Sequence, residues 1–417
     1  MGKINTKNIL PGGIFTILLF LICTKGVINH AFLQMLCDHL DEGIVLFCLA
    51  YLILHIHYVF RKKWLLLYLW LGFMAIGTVS SLVFHYQPLI PTLTDALVVI
   101  SKFIIGYLTA YVYASLHPKA LSQRVIGTAR LISTLLFLIS VHDLLMPPFF
   151  PRGEYRYFTQ SLSLMFPHPT YLSAAMVALL VVLGYTDHLH KNIPYMLMAT
   201  FIGMMTLRGK AIAFFAVYWI LYICIMIFKN RHYTGMLIGG GLGSAVIGFE
   251  RIYAYFLNPN QFSPRRIMFN DSISLALQHF PLGTGFGTYG SASAAQNYSP
   301  LYTNLGYTTL DGMSPDNTAY LYDCFWPEIF AQFGVIGTIL FAGVLILLLV
   351  YSIRSLKKNR IAGFSMLMIL VNMLINSMAE SSFFNPTSLL LFAIFGLIEV
   401  ETTQHPSVLQ KGGLSHE

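Results

Sequence analysis

Residues 335–350 read VIGTILFAGVLILLLV, without one charged side chain. No soluble domain exposes or wraps such a run easily. Extended back to Glu328, it is long enough to cross a bilayer core ~30 Å thick, which takes about 20 helical residues. The same texture recurs along the chain. Of 417 residues, 56% are hydrophobic and 10% are charged, whereas a soluble protein carries about 25% charged residues. A soluble core of this size needs more polar surface than the chain contains. A soluble enzyme, a disordered chain and a disulfide-rich secreted module are therefore excluded. The five cysteines form no CxxC or CxxH cluster and read as small apolar residues.

The fold class that follows is all-α: a polytopic integral membrane protein of about twelve transmembrane helices with one large extracytoplasmic loop. The spans are predicted near 9–29, 43–60, 64–85, 93–116, 125–146, 170–185, 193–207, 211–228, 235–257, 328–350, 361–378 and 387–400. No small-residue cleavage site closes the first, so it reads as a retained helix. Residues 1–257 thus hold helices 1–9. Residues 258–327 form the large loop, with a short amphipathic helix. Residues 328–400 hold helices 10–12, and 401–417 form a cytoplasmic tail.

The net charge of +8 reflects loops rather than a nucleic-acid surface. Arg61-Lys62-Lys63, Lys119 and Arg124, Lys191, Lys229 and Arg231, and Arg354, Lys357, Lys358 and Arg360 fall in alternate short loops. Lys and Arg collect on the cytoplasmic side, so these loops and both termini are expected there. The cytoplasmic loops are brief and contain no GxxxxGK[ST], which excludes a nucleotide-driven motor.

Fewer cations fall outside, against the bias, and these invite a chemical reading. Arg208 and Lys210 flank Gly209 in a tight turn or kink between two apolar runs. They either snorkel to headgroups or hold a phosphate or pyrophosphate, for which a guanidinium offers paired donors. Ser263-Pro264-Arg265-Arg266 reads as an N-cap, a first-turn proline and two arginines opening a helix. Its apolar Ile273, Leu277 and Phe280 fall at helical spacing, and its N-terminus attracts anions.

Gly285, Gly287 and Gly290 satisfy G-x-G-x-x-G, but no strand or βαβ unit surrounds them, so the stretch reads as a flexible turn that lets backbone approach a substrate or helix, and not as a dinucleotide site. Asp316 and Asn317 read either as a helix N-cap or as a carboxylate able to take a proton from a sugar hydroxyl. Asp323 and Glu328 compete for that role. His168, before Pro169, can hydrogen-bond or carry a proton. Glu380 is interfacial or lines a cavity. No His, Asp, Glu or Cys set has metal-ligand spacing.

Arg208 after two spans, an Arg-led helix running into Pro-Leu-Gly-x-Gly-x-Gly, and Asp316-Asn317 ahead of Glu328 and Gly334-Val335-Ile336-Gly337 together resemble the O-antigen ligase and polysaccharide polymerase family. Phe166-Pro167-His168-Pro169 is similar to the segment opening a central helix in exopolysaccharide and capsule polymerases. The resemblance covers about 160–380, and the N-terminal third matches only in hydropathy. It implies a multi-pass glycosyltransferase of the bacterial plasma (inner) membrane, independent of metal, nucleotide and cofactor. Such an enzyme transfers a glycan chain from a polyprenyl-diphosphate donor to a lipid-linked repeat unit on the outer face.

By this resemblance, Arg208, Arg265, Arg266 and Lys210 hold the diphosphate. Asp316, or else His168, is the catalytic base, with Asn317, Glu328 and Glu380 in support. The partners implied are the polyprenyl-diphosphate-linked oligosaccharide and the lipid bilayer, with a chain-length regulator and a flippase as candidate protein partners and no nucleic acid. Ligases carry His where Asp316 stands, which favours a polymerase. Thr170 also replaces the Asn often seen after His-Pro. A ligase acting on another acceptor and a lipid-linked oligosaccharide flippase or transporter stay as alternatives. A transporter needs polar residues midway through several spans, and Lys25, Lys102, Arg130 and Asp143 are the few available.

Overall fold

A computed structural model describes residues 40–117, 123–185, 189–227, 253 and 262–404. These residues are mostly helical. A bilayer core offers no water to backbone amides, so the chain satisfies them internally as helices. In order, α1 is Leu40–Leu54, α2 Ile56–Phe84, α3 Leu89–Thr94, α4 Lys102–Leu116 and α5 Gln123–Leu145. A two-residue hairpin follows, β1 Tyr155–Arg156 against β2 Thr159–Gln160, with Arg156 opposite Thr159. Then come α6 Pro169–Gly184, α7 Leu189–Met205 and α8 Gly209–Tyr222. After these lie α9 Pro264–Gln278, the short α10 Ala292–Gln296 and α11 Pro300–Asn304, then α12 Phe325–Lys358, α13 Arg360–Ser377 and α14 Pro386–Gln404.

Five stretches are long and apolar enough to cross a membrane: Ile56–Phe84, Val125–Leu145, Gly209–Met226, Phe325–Lys358 and Arg360–Ser377. Leu89–Leu97 with Lys102–Leu116 makes a sixth if taken as one span, bent by 42°. The protein is therefore an all-α membrane protein. The expectation of twelve spans is not met among the described residues. The expected spans at 43–60 and 170–185 are α1, with 15 residues, and α6, with 16, short of the ~20 a crossing takes. Those at 9–29 and 235–257 lie outside the described residues, apart from Tyr253.

Arg61-Lys62-Lys63 is not a loop. Helix α2 runs through it, with a kink at Lys63 (φ −131°). Lys63 turns inward, and its Nζ lies 2.5 Å from Glu399 Oε1 and 3.7 Å from the Tyr351 ring centre. Sequence spacing could not reveal this, because the partner is on α14.

The long helix α12 breaks at Gly334 (φ 58°), and the break has a cause. The segment 281–285 pairs with the opened backbone: Thr284 N–H donates to Ala331 O at 2.8 Å and Gly285 N–H to Gln332 O at 3.0 Å. A Cβ on Gly334 would fall 2.1 Å from the Leu282 carbonyl oxygen, so only glycine fits. The stretch 284–290 is buried rather than a flexible turn, but its backbone does approach a helix, with Phe286 N–H donating to Ser81 Oγ of α2 at 2.9 Å. Gly287 N–H donates to Asp95 Oδ2 (2.8 Å) and Gln332 Oε1 (3.1 Å).

The helical core is packed with aromatic rings, as in the Phe73–Phe333 stack at 4.0 Å. Interhelical contact in lipid rests on such packing rather than on water exclusion. Residues 262–324 gather over one end of the helices around a second core of Met268, Leu275, Tyr289, Tyr302 and Tyr307. In α9, Ser263 Oγ accepts from Arg266 N–H (3.5 Å) and Pro264 fills the first turn. The cap and proline start expected there are both present. The expected apolar row is not buried against protein: Leu277 and Phe280 are 65% and 67% exposed.

Candidate functional site

An open cavity of about 2280 Å³ lies at the end of the helices covered by residues 262–324. Its wall combines residues far apart in sequence. Arg156, His168, Arg208, Lys210 and Arg265 line one region. Below them the wall turns apolar, with Val217 and Leu221 of α8, Leu349 of α12 and Leu367, Leu370 and Val371 of α13. From Lys210 to Leu221 the helix descends roughly 16 Å at 1.5 Å per residue. The cavity thus joins a polar crown to a deep apolar slot.

The turn that presents Arg208 is short and held firmly. Helix α7 ends at Met205 and α8 starts at Gly209. Leu207 adopts a left-handed conformation (φ 52°) and is buried. A left-handed leucine costs about 1–2 kcal/mol, which the surrounding packing sustains. The turn is pinned by Leu162 N–H donating to Met205 O at 2.9 Å. Arg208 is therefore fixed at the N-cap position of α8.

Most charges on the wall are already matched. Lys210 Nζ lies 2.6 Å from Glu380 Oε2. Arg265 pairs with Asp323. Arg156 pairs with Glu154 at 2.7 Å, and Lys102, also on the wall, pairs with Asp41 at 2.7 Å. Arg208 differs. Among the described residues it makes no ion pair, and its Nε has no hydrogen-bond partner. Its Nη2 lies 2.9 Å from His168 Nε2.

His168 also faces Thr170 N–H through Nδ1, at 3.3 Å, as the cap of α6. A neutral imidazole has one acceptor nitrogen, so these two contacts compete. Burial, then the Arg208 and Lys210 charges, hold the His168 pKa down at about 4, and the ring is neutral at pH 7. Burial pushes the Asp323 carboxyl up, while Arg265 pulls it back.

Glu328 is on the wall too, and is 1% exposed. Its Oε2 accepts from the Ser381 hydroxyl at 2.9 Å, and its Oε1 has no partner among the described residues.

The cavity thus brings together His168, Arg208, Lys210, Arg265, Glu328 and Glu380. It does not include Arg266, Asp316 or Asn317. No helix starts at 316–317. Those residues form an exposed turn closed by an isolated bridge between Ser314 and Asn317. Arg156, Tyr157, Lys102 and Glu42 also line the cavity, and sequence reasoning did not single them out as site residues. Their positions depend on the hairpin and on α1 meeting α4, which no local spacing signals. No family model matches the chain, and no curated protein matches it.

Proposed function

We propose that the protein is a membrane glycosyltransferase of the O-antigen ligase and polysaccharide polymerase type, working as a polymerase. It moves a glycan chain from a polyprenyl-diphosphate carrier to a lipid-linked repeat unit. The observation that carries this reading is Arg208: a fixed, half-buried guanidinium that makes no ion pair among the described residues, set above an apolar slot in the same cavity. A ligand matching both features has an anion joined to a long hydrocarbon chain.

The chemistry needs little more from the protein. A sugar bound to diphosphate through its anomeric carbon already carries a good leaving group. Cations that meet the developing charge lower the barrier without proton transfer. Lys210 and Arg265 stand beside Arg208 for this purpose. In this reading the cavity opens on the outer face of a bacterial plasma membrane, and both termini are cytoplasmic.

The decisive experiment is reconstitution. Purified protein incubated with a synthetic undecaprenyl-diphosphate oligosaccharide, without nucleotide or metal, should yield a ladder of products spaced by one repeat. Unchanged donor would overturn the reading. Single transfer to a different acceptor, with no ladder, would mark a ligase.

A further inference from the structure

Four carboxylates line the cavity: Glu42, Asp323, Glu328 and Glu380. Asp323 and Glu380 hold Arg265 and Lys210. Either would have to break an ion pair to accept a proton. Glu42 is only half-buried. Glu328 is different on both counts. Among the described residues it makes no ion pair, it is almost wholly buried, and Oε1 is without a hydrogen-bond partner. A buried carboxyl oxygen with no donor is costly. A ligand hydroxyl supplied through the cavity would remove that cost.

The surroundings fit a neutral, hydroxyl-rich ligand. Ser293, Gln296 and Asn297 of the 292–297 segment line the same cavity, as does Ser381. Amides and hydroxyls both donate and accept, which suits sugar hydroxyls. The position of Glu328 is also rigid. The Gly290 backbone packs so closely on it that an added Cβ would lie 3.0 Å from the Glu328 backbone. Asp316 has none of this: it is exposed and off the wall.

We infer that Glu328 is the group that takes the proton of the acceptor hydroxyl, in an acceptor subsite formed with Ser293, Gln296, Asn297 and Ser381. This rests on the transferase reading above. In the step, the acceptor O–H bond breaks and its proton passes to Glu328 Oε1. The acceptor oxygen bonds to the anomeric carbon. The bond from that carbon to the diphosphate oxygen breaks, and its electron pair leaves with the polyprenyl diphosphate, held by Arg208. Proton and leaving group thus depart at two separate places on one wall.

The test compares Glu328→Gln, Glu328→Asp and Asp316→Asn in nanodiscs, with the ladder assay and with binding of undecaprenyl diphosphate measured separately. Removing a general base costs about 10²-fold or more. Glu328→Gln is expected to lose at least that in rate while binding undecaprenyl diphosphate within about threefold of wild type. Asp316→Asn is expected to keep its rate. The wild-type rate should fall as acid protonates the base, and Glu328→Asp should move that limb. The titratable groups facing Glu328 are Asp95, from the bend before α4, and Tyr302 of α11. Asp95→Asn should therefore leave a limb that Glu328→Gln abolishes.

A Glu328→Gln variant with wild-type rate overturns the assignment and leaves the transferase reading standing. So does one that loses rate and binding together, since that marks a structural role. Wild-type protein that makes no product overturns both.

Discussion

Arg208 Nη2 and His168 Nε2 are 2.9 Å apart, and this contact ties the α7–α8 turn to the start of α6. Arg208 can only donate, so His168 serves it only as a neutral ring with Nε2 free. The His168 pKa is held at about 4, below the ~6.5 of an unfolded chain. The unfolded state then binds more protons than the folded state between those values. Stability should decline as pH falls from about 6.5 through 4, and this part should be level above 6.5. Thermal unfolding in detergent across that range checks it. The decline should be shallower in His168→Gln. An equal slope in both proteins would remove His168 as the cause.

Arg208→Ala should reduce transfer by about 10²- to 10³-fold, the usual cost of deleting one preorganised charge-stabilising donor. In cells, long polymer should vanish and single lipid-linked repeats should accumulate. Arg208→Lys should recover only part of the activity, because an ammonium cannot reproduce the guanidinium fork. Normal chain lengths in Arg208→Ala, seen on a polyacrylamide gel, would rule out its role.

The glycines of 283–306 can be separated by what surrounds them. A Cβ on Gly285 (φ 98°) would lie 2.5 Å from Ser81 Oγ and 2.7 Å from Ser81 backbone atoms, whereas Gly306 (φ 77°) has open space. Both need a left-handed backbone, but only Gly285 also needs the room. Gly306→Ala should cost about 1 kcal/mol, and Gly285→Ala about 3 kcal/mol or more. Melting temperatures of the two variants give the comparison. Equal losses would show that the contact with α2 is not tight.

The contrast between those glycines reflects what the sequence could and could not disclose. Local signals were readable. Ser263-Pro264 started α9, Arg208-Gly209-Lys210 marked a turn, and the apolar run after Gly334 belonged to a long helix. Each depends on neighbours in the chain. Pairings between distant helices were hidden. Lys63 looked like a loop cation because its partner, Glu399, lies on α14. Asp316 looked catalytic because Asp-Asn is a familiar pair, yet the fold leaves it on an exposed turn. Glu328 was one carboxylate among several until burial and a missing partner set it apart.

Glu380 restrains Lys210 at 2.6 Å, and that pair tempers the positive field beside Arg208. Both side chains are partly exposed, so the pair contributes roughly 0.5–1 kcal/mol. Glu380→Gln should leave the fold intact and free Lys210 for an incoming anion. Binding of undecaprenyl diphosphate should tighten by about two- to fivefold, as expected for that free energy. High salt should erase much of the gain. Weaker binding in Glu380→Gln would mean that Glu380 itself contacts the ligand.

At the opposite end of α2, Lys63 and Glu399 are buried together at 2.5 Å, and Tyr107 OH donates to the second carboxylate oxygen at 2.5 Å. Tyr351 and Tyr111 place their rings 3.7 Å and 4.4 Å from Lys63 Nζ. This cluster joins α2, α4, α12 and α14, and none of its residues lines the cavity. Breaking a buried pair from one side strands the other charge and costs about 3–5 kcal/mol. Lys63→Met should therefore lower the melting temperature sharply. Lys63→Met with Glu399→Gln should restore most of the loss, because no buried charge is left alone. Ladder synthesis by the double variant should stay close to wild type if the cluster serves only to hold the helices. A double variant that is stable yet inactive would place the cluster in the working cycle instead.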